Sequence, residues 1–161
     1  MHNVLLSLGS NLGNRQVYLS KAIRLLRLHA GEIKNQSSVY ETEPWGFTHE
    51  NNFYNQCIAV LTPLNPFSLL QKIHEIEKTF GRGEPTLQYE ARTIDIDILF
   101  YDDLVLESSS LSIPHPRMEQ RLFVLEPLAE IAPGFIHPVR RLTVLKLLEQ
   151  CTDDKAVTKI N

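Results

Sequence analysis

The stretch from Thr93 to Tyr101 constrains the fold more than any other. Ile94, Ile96, Ile98 and Phe100 alternate there with Thr93, Asp95 and Asp97. A two-residue repeat marks a strand with one face buried. The isoleucines take the core face, so both aspartates share the other, with Cα atoms roughly 6.5–7 Å apart. Aspartate is depleted in strands. Two carboxylates about 6 Å apart repel by ~3 kcal/mol at an effective dielectric of about 20. A divalent cation relieves that repulsion, and hard oxygen donors beside a phosphate suit magnesium. A solvated acidic face on an edge strand is the competing reading of the same residues.

The spacing around this strand predicts the other elements. Val4 to Leu8 is a short apolar run that stops at the turn cluster Gly9-Ser10-Asn11. From Arg15 to Leu28, Leu19, Ala22, Ile23, Leu25 and Leu26 form a helical stripe, ended by Gly31. A polar strand is expected from about Glu32 to Tyr40, and another from Phe53 to Thr62. Asn65-Pro66 reads as an N-cap with proline at the first helical position. Leu69, Leu70, Ile73, Ile76 and Phe80 carry that helix to Gly81. Two polar loops, Thr42 to Asn52 and Gly81 to Ala91, are long enough to be functional. After Tyr101 come short apolar pieces, a helix around Leu142 to Cys151, and a tail from Thr152 expected to fray.

Strand, helix, strand, strand, helix, strand is an α+β order. It predicts a ferredoxin-like βαββαβ core with an antiparallel sheet, helices packed on it and a C-terminal elaboration. The 161 residues, 43% of them apolar, suit a single domain over 1–161.

Composition excludes several function classes. Lys plus Arg is 16 and Asp plus Glu is 19, a net charge of −3, so no nucleic-acid partner is expected. No apolar run approaches the roughly 20 residues of a membrane span, and the start Met1-His2-Asn3-Val4 is not a secretory signal. Cys57 and Cys151 lie far apart, so a reduced, cytoplasmic setting is expected, with Cys57 packed as a small hydrophobe. Gly9-Ser10-Asn11-Leu12-Gly13-Asn14 fits neither GxGxxG nor GxxxxGK(S/T), so any ATP is held without a P-loop.

Other residues gain meaning from the acidic pair. Arg82 and Arg92 flank it and could form salt bridges or clamp a phosphate. His115-Pro116-Arg117 with Arg121 is a second basic cluster able to line a polyphosphate channel. His137-Pro138-Val139-Arg140-Arg141 has no acidic pair and reads as surface. Phe53 and Asn55 share a strand face, and an aromatic plane beside an amide suits a flat heterocycle. Trp45 and Phe123 could add a second wall. Taken singly, each of these aromatics also reads as ordinary core, and each arginine as surface.

In their joint order these pieces resemble the 6-hydroxymethyl-7,8-dihydropterin pyrophosphokinase family. The pieces are Gly9 to Asn14, Tyr40 to Gly46, Phe53-Tyr54-Asn55, Gly81-Arg82, Arg92 to Leu99, Ile113 to Met118, Arg121 to Leu128 and Glu130 to Pro133. They span nearly the whole chain.

The resemblance implies an ATP-dependent diphosphotransferase of folate biosynthesis. It would move pyrophosphate from ATP to 6-hydroxymethyl-7,8-dihydropterin and release AMP. It implies two magnesium ions held by Asp95 and Asp97, with Asp97 also helping to deprotonate the acceptor. Arg82 and Arg92 would neutralise the moving phosphates. ATP would further meet Ile98, Leu111, Ser112, His115 and Arg121. The pterin would meet Gly9, Thr42 through its backbone, Trp45, Phe53, Asn55 and Phe123. The loops Glu43 to Asn52 and Arg82 to Ala91 would close as lids, and the protein would act as a monomer. Glu84, Gln88 and Glu90 stand where many relatives carry Arg, a basic residue and Gly, and Tyr89 replaces a common Trp. The second lid therefore carries less positive charge, and Ser110 lacks a basic side chain that some relatives have. A non-catalytic ferredoxin-like module that binds a small ligand or nucleic acid is the alternative from another class.

Overall fold

In the computed structural model, the described residues are 1–43, 51–81 and 93–160. Strand β1 (His2–Ser10) leads into helix α1 (Arg15–His29), then β2 (Glu32–Gln36), β3 (Val39–Thr42), β4 (Phe53–Thr62), α2 (Pro66–Lys78) and β5 (Asp95–Tyr101). A small hairpin, β6 (Leu106–Glu107) and β7 (Ser112–Ile113), precedes a 3-10 turn at Met118–Gln120. Helices α3 (Leu122–Ile131) and α4 (Val144–Gln150) and strand β8 (Val157–Ile160) complete the chain.

The main sheet runs β5-β1-β4-β3-β8, with β2 also on β4, and its pairings are antiparallel. This is the ferredoxin-like α+β arrangement expected, extended at one edge. One apolar cluster joins the sheet to α1 and α2 through Leu6, Leu8, Leu19, Leu26, Ile58 and Ile73. A second, on the other face, joins Cys57, Leu99 and Phe100 to α3 and α4. Ile94, Ile96 and Ile98 belong to the first cluster. Cys57 is buried and both cysteines are free.

Several expectations need correction. β1 does not stop at Gly9 but runs through Ser10, which pairs with Tyr54. Glycine in a strand lets a neighbouring side chain lie where Cβ would be, and Asn55 does so here. The polar strand is split: Glu32–Gln36 and Val39–Thr42 pair with β4 on either side of Ser37 and Ser38. The Ser37 hydroxyl accepts the Cys57 N–H at 3.0 Å across the break.

Phe100 does not follow the isoleucines. A register shift opposite Leu5 and Leu6 inserts Leu99, so Phe100 turns into the second cluster. The tail does not fray throughout, because β8 pairs with β3 from Val39 to Thr42. His137 is not surface. It is buried, and its Nδ1 accepts the backbone N–H groups of Val139 and Arg140 at 3.2 and 3.0 Å. The apolar pieces after Tyr101 include helix α3 despite Pro127 within it. Its buried Val124, Leu125 and Leu128 outweigh the one lost backbone donor.

Candidate active site

The sheet aligns chemistry in rows. Asp95 pairs with Gly9, Gly9 with Asn55 and Asn55 with Tyr40. Directly paired residues share a face, so these four lie on the α3 side of the sheet. Asp97 starts the next row, opposite Ser7, which pairs with Cys57. Two strand spacings therefore separate Asp95 from Asn55, about 10 Å.

Asp95 and Asp97 are partly exposed and line one cleft of about 330 Å³ along the outer edge of β5. Ile98, Leu111, Ser112 and His115 line it too, as do Leu70, His74 and Glu77 of α2. Among the described residues, no three His, Cys, Asp or Glu side chains form a metal-binding group. The cleft instead offers carboxylates at its mouth, a donor set that fits a hard cation completing its shell with phosphate oxygens and water.

Glu77 escaped the sequence reading. The residue is 3% exposed, and its carboxylate accepts the Ile96 N–H at 3.0 Å. The signal was present: Glu77 falls four residues after Ile73, within the core-facing stripe of α2. The Ile96 bond also fixes the orientation of β5. Ile96 points its N–H away from β1, and Ile98, one repeat on, lines the same cleft.

His115 is held as a neutral donor. Burial pushes its pKa down to about 4, Arg121 and Arg117 push the same way, and Asp95 opposes them. Its Nδ1 accepts the Arg117 N–H at 3.2 Å. In neutral imidazole the other nitrogen, Nε2, then carries the hydrogen. The His115 backbone N–H is fixed to the Leu99 carbonyl at 3.0 Å.

The second group sits around Asn55, which is 3% exposed. Its Nδ2 donates to Thr42 Oγ1 at 2.6 Å. The Thr42 side chain thus anchors the Asn55 amide. Asn55 keeps a second amide hydrogen and Oδ1 for another partner. A Cβ built on Gly9 would lie 2.8 Å from Asn55 Oδ1 and 3.5 Å from Phe53 Cδ1, so all three residues crowd one spot. Helix α3 carries Phe123, whose ring has the Arg121 guanidinium 5.6 Å from its centre. The Cys57 thiol contacts the Val124 carbonyl at 3.7 Å, seating the start of α3 over β4. The Tyr40 hydroxyl donates to Glu130 at 2.6 Å, and Ser38 donates to the same carboxylate through N–H and hydroxyl, at 3.0 and 2.9 Å. Burial and the Glu130 charge push the Tyr40 pKa up, so it stays a neutral donor.

The structure therefore brings Asp95, Asp97, Ile98, Leu111, Ser112 and His115 to one cleft. It gathers Gly9, Thr42, Phe53 and Asn55 on neighbouring strands of the face that α3 covers, with Phe123 and Arg121 at the start of α3. Arg82, Arg92 and Trp45 lie outside the described residues.

Comparison with known proteins gives the family. A family model described as 7,8-dihydro-6-hydroxymethylpterin-pyrophosphokinase (HPPK) matches residues 5–133. The 2-amino-4-hydroxy-6-hydroxymethyldihydropteridine pyrophosphokinase of Aquifex aeolicus (strain VF5) is 45% identical over 141 residues, 88% of this chain and 87% of the relative. That of Bacillus subtilis (strain 168) is 44% identical over 133 residues, 81% of this chain and 79% of the relative. A crystal structure of Plasmodium falciparum HPPK-DHPS, wild type with SDX-DHP, superposes with a TM-score of 0.73 at 22% identity. It covers 93% of this chain but only 43% of that one, and its likeness is one of fold. With four-fifths of its length matched by the model, this chain belongs to the 7,8-dihydro-6-hydroxymethylpterin-pyrophosphokinase (HPPK) family.

Proposed function

We infer that this chain transfers the pyrophosphoryl group of ATP to 6-hydroxymethyl-7,8-dihydropterin in folate synthesis. The observation that carries the reading is the row Asp95, Gly9, Asn55. It sets an acidic pair and a heterocycle seat on one sheet face, about 10 Å apart, in a chain of this family. The hydroxymethyl oxygen bonds to the β-phosphorus of ATP. The bond from that phosphorus to the α–β bridging oxygen breaks, and AMP leaves with that oxygen. The acceptor's proton passes to a carboxylate or to water.

Asn55 reads the pterin edge, Thr42 and Gly9 keep Asn55 aimed, and Phe53 and Phe123 sandwich the ring with Trp45 beside it. Ile98 offers backbone groups to the adenine, with Leu111 and Ser112 near the adenosine. His115, through Nε2–H, and Arg121 hold the phosphates, while Arg82 and Arg92 neutralise charge as it moves. Asp95 and Asp97 hold two magnesium ions, and Asp97 also helps take the proton. When bound, magnesium supplies alignment and charge neutralisation for the phosphates. No activated serine or cysteine is needed, because the substrate brings the attacking hydroxyl.

The whole of 1–161 acts as one catalytic unit, a cytoplasmic monomer without a nucleic-acid partner. No helix among the described residues is long and apolar enough to cross a membrane. Purified chain given magnesium, ATP and the hydroxymethyldihydropterin will form AMP and the pterin diphosphate in equal amounts. ADP as the nucleotide product, or no product, contradicts the reading.

A further inference from the structure

The family match ends at residue 133, yet the segment after α4 reaches both walls of the heterocycle seat. Helix α3 lacks a cap of its own, since Arg121 at the N-cap position makes no side-chain cap bond. Asp153 supplies one from 31 residues away, its Oδ2 accepting the Leu122 N–H at 3.0 Å, immediately before Phe123. The other oxygen of that carboxylate, Oδ1, accepts the Lys155 N–H at 3.1 Å. The Lys155 ammonium lies 3.4 Å from the Glu43 carboxylate, next in sequence to Thr42. Val157 then pairs with Thr42 in β8, and the Thr42 hydroxyl accepts from Asn55.

One continuous path thus ties the residue before Phe123 to the residue that aims Asn55. β8 pairing fixes the backbone of β3 but does not set its distance from α3. Glu130 sets that distance toward the end of α3, through Tyr40 and Ser38; at the start of α3 the Asp153 carboxylate does, because it bonds that start and the lead-in to β8 together. A carboxylate at a helix N-terminus also meets the positive end of the helix dipole.

We propose that residues 153–157 are a positioning strap for the pterin, in which Asp153 sets Phe123 and Lys155 sets Thr42 and, through it, Asn55. The proposal rests on the function inferred above and assigns a part of the site to residues beyond those that the family model matches. Arg121 has its own anchors, its N–H on the Met118 carbonyl at 3.2 Å and its C=O on Val124 and Leu125. The strap therefore acts on the pterin far more than on ATP.

The test is steady-state kinetics together with a pterin titration in the presence of magnesium and a non-hydrolysable ATP analogue. Asp153→Ala removes two bonds to a charged acceptor. It will raise the KM and Kd for the pterin roughly three- to tenfold, leaving kcat at saturation and the KM for ATP within about twofold. Asp153→Asn keeps one acceptor oxygen and will fall between. Lys155→Glu and Glu43→Lys will each raise the pterin KM about twofold, as expected of an exposed pair, and the double exchange will restore it. These milder variants decide the matter if Asp153→Ala does not fold.

An unchanged pterin KM in every variant overturns the strap. So does a fall in kcat with KM constant, which marks a stability role alone. Wild-type chain that binds the pterin without transferring pyrophosphate overturns the function but leaves the strap to be read from the titration. Wild-type chain that does not bind the pterin overturns both.

Discussion

Gly9→Ala puts one methyl group where the site has no room for it. The new Cβ would sit 2.8 Å from Asn55 Oδ1, whereas ordinary contact begins near 3.4 Å. Asn55 must retreat by about half an ångström. It has little room to do so, being 3% exposed with its Nδ2 on Thr42 at 2.6 Å. Swinging the amide away weakens that bond, costing about 1 kcal/mol of stability. It also mis-aims the remaining N–H and Oδ1, and two poor hydrogen bonds in a buried site cost about 1.5–3 kcal/mol of affinity. Pterin affinity therefore falls roughly ten- to a hundredfold. Gly9 lies in a regular strand with no positive φ, so alanine fits the backbone there. Titration of the pterin against its fluorescence, with the ATP analogue as control, reads the effect. Pterin binding within about twofold of wild type would refute the crowding argument, as would an equal loss of ATP-analogue affinity.

Two further outcomes follow from the cleft. The His115 pKa of about 4 lies below its ordinary 6.5, so between those values the unfolded chain binds more protons than the folded one. Stability then falls as pH drops from about 6.5 to 4, with His115 contributing ~1–3 kcal/mol of that loss; urea unfolding of ligand-free His115→Gln will show a shallower loss, and an identical slope contradicts the burial argument. Glu77→Ala leaves the buried Ile96 N–H without its carboxylate and will cost about 1–3 kcal/mol, while Glu77→Gln retains an acceptor and will cost less; equal stability of all three chains in urea rules out the bond's role.

The parts legible in sequence are those with a local period. β5 announces itself because Ile94, Ile96 and Ile98 must be buried on one side, which leaves Asp95 and Asp97 no choice but the other. α1 and α2 show stripes and caps, and Asn65 accepts the Ser68 N–H as its position before Pro66 predicts. α3 was hidden because Pro127 breaks the local helical signal, whereas burial of Val124, Leu125 and Leu128 is a tertiary effect. β8 was hidden because a short strand in a polar tail gains its stability from pairing with β3. The same holds within the site. Gly9, Phe53 and Asn55 carry their chemistry in their residue types, but Tyr40 and Glu130, 90 residues apart, acquire theirs only on contact. His137 looked like one more surface basic residue, and only the fold shows its ring edge-on to Phe100 at 5.5 Å.

Calorimetric titration of the ATP analogue, with and without magnesium, bears most directly on the acidic pair of β5. It compares wild type with an Asp95→Asn, Asp97→Asn double variant of equal melting temperature. Wild-type affinity will rise steeply with magnesium, and the double variant will bind weakly and almost indifferently to the ion. Undiminished magnesium dependence in the double variant would mean that these carboxylates do not hold the metal.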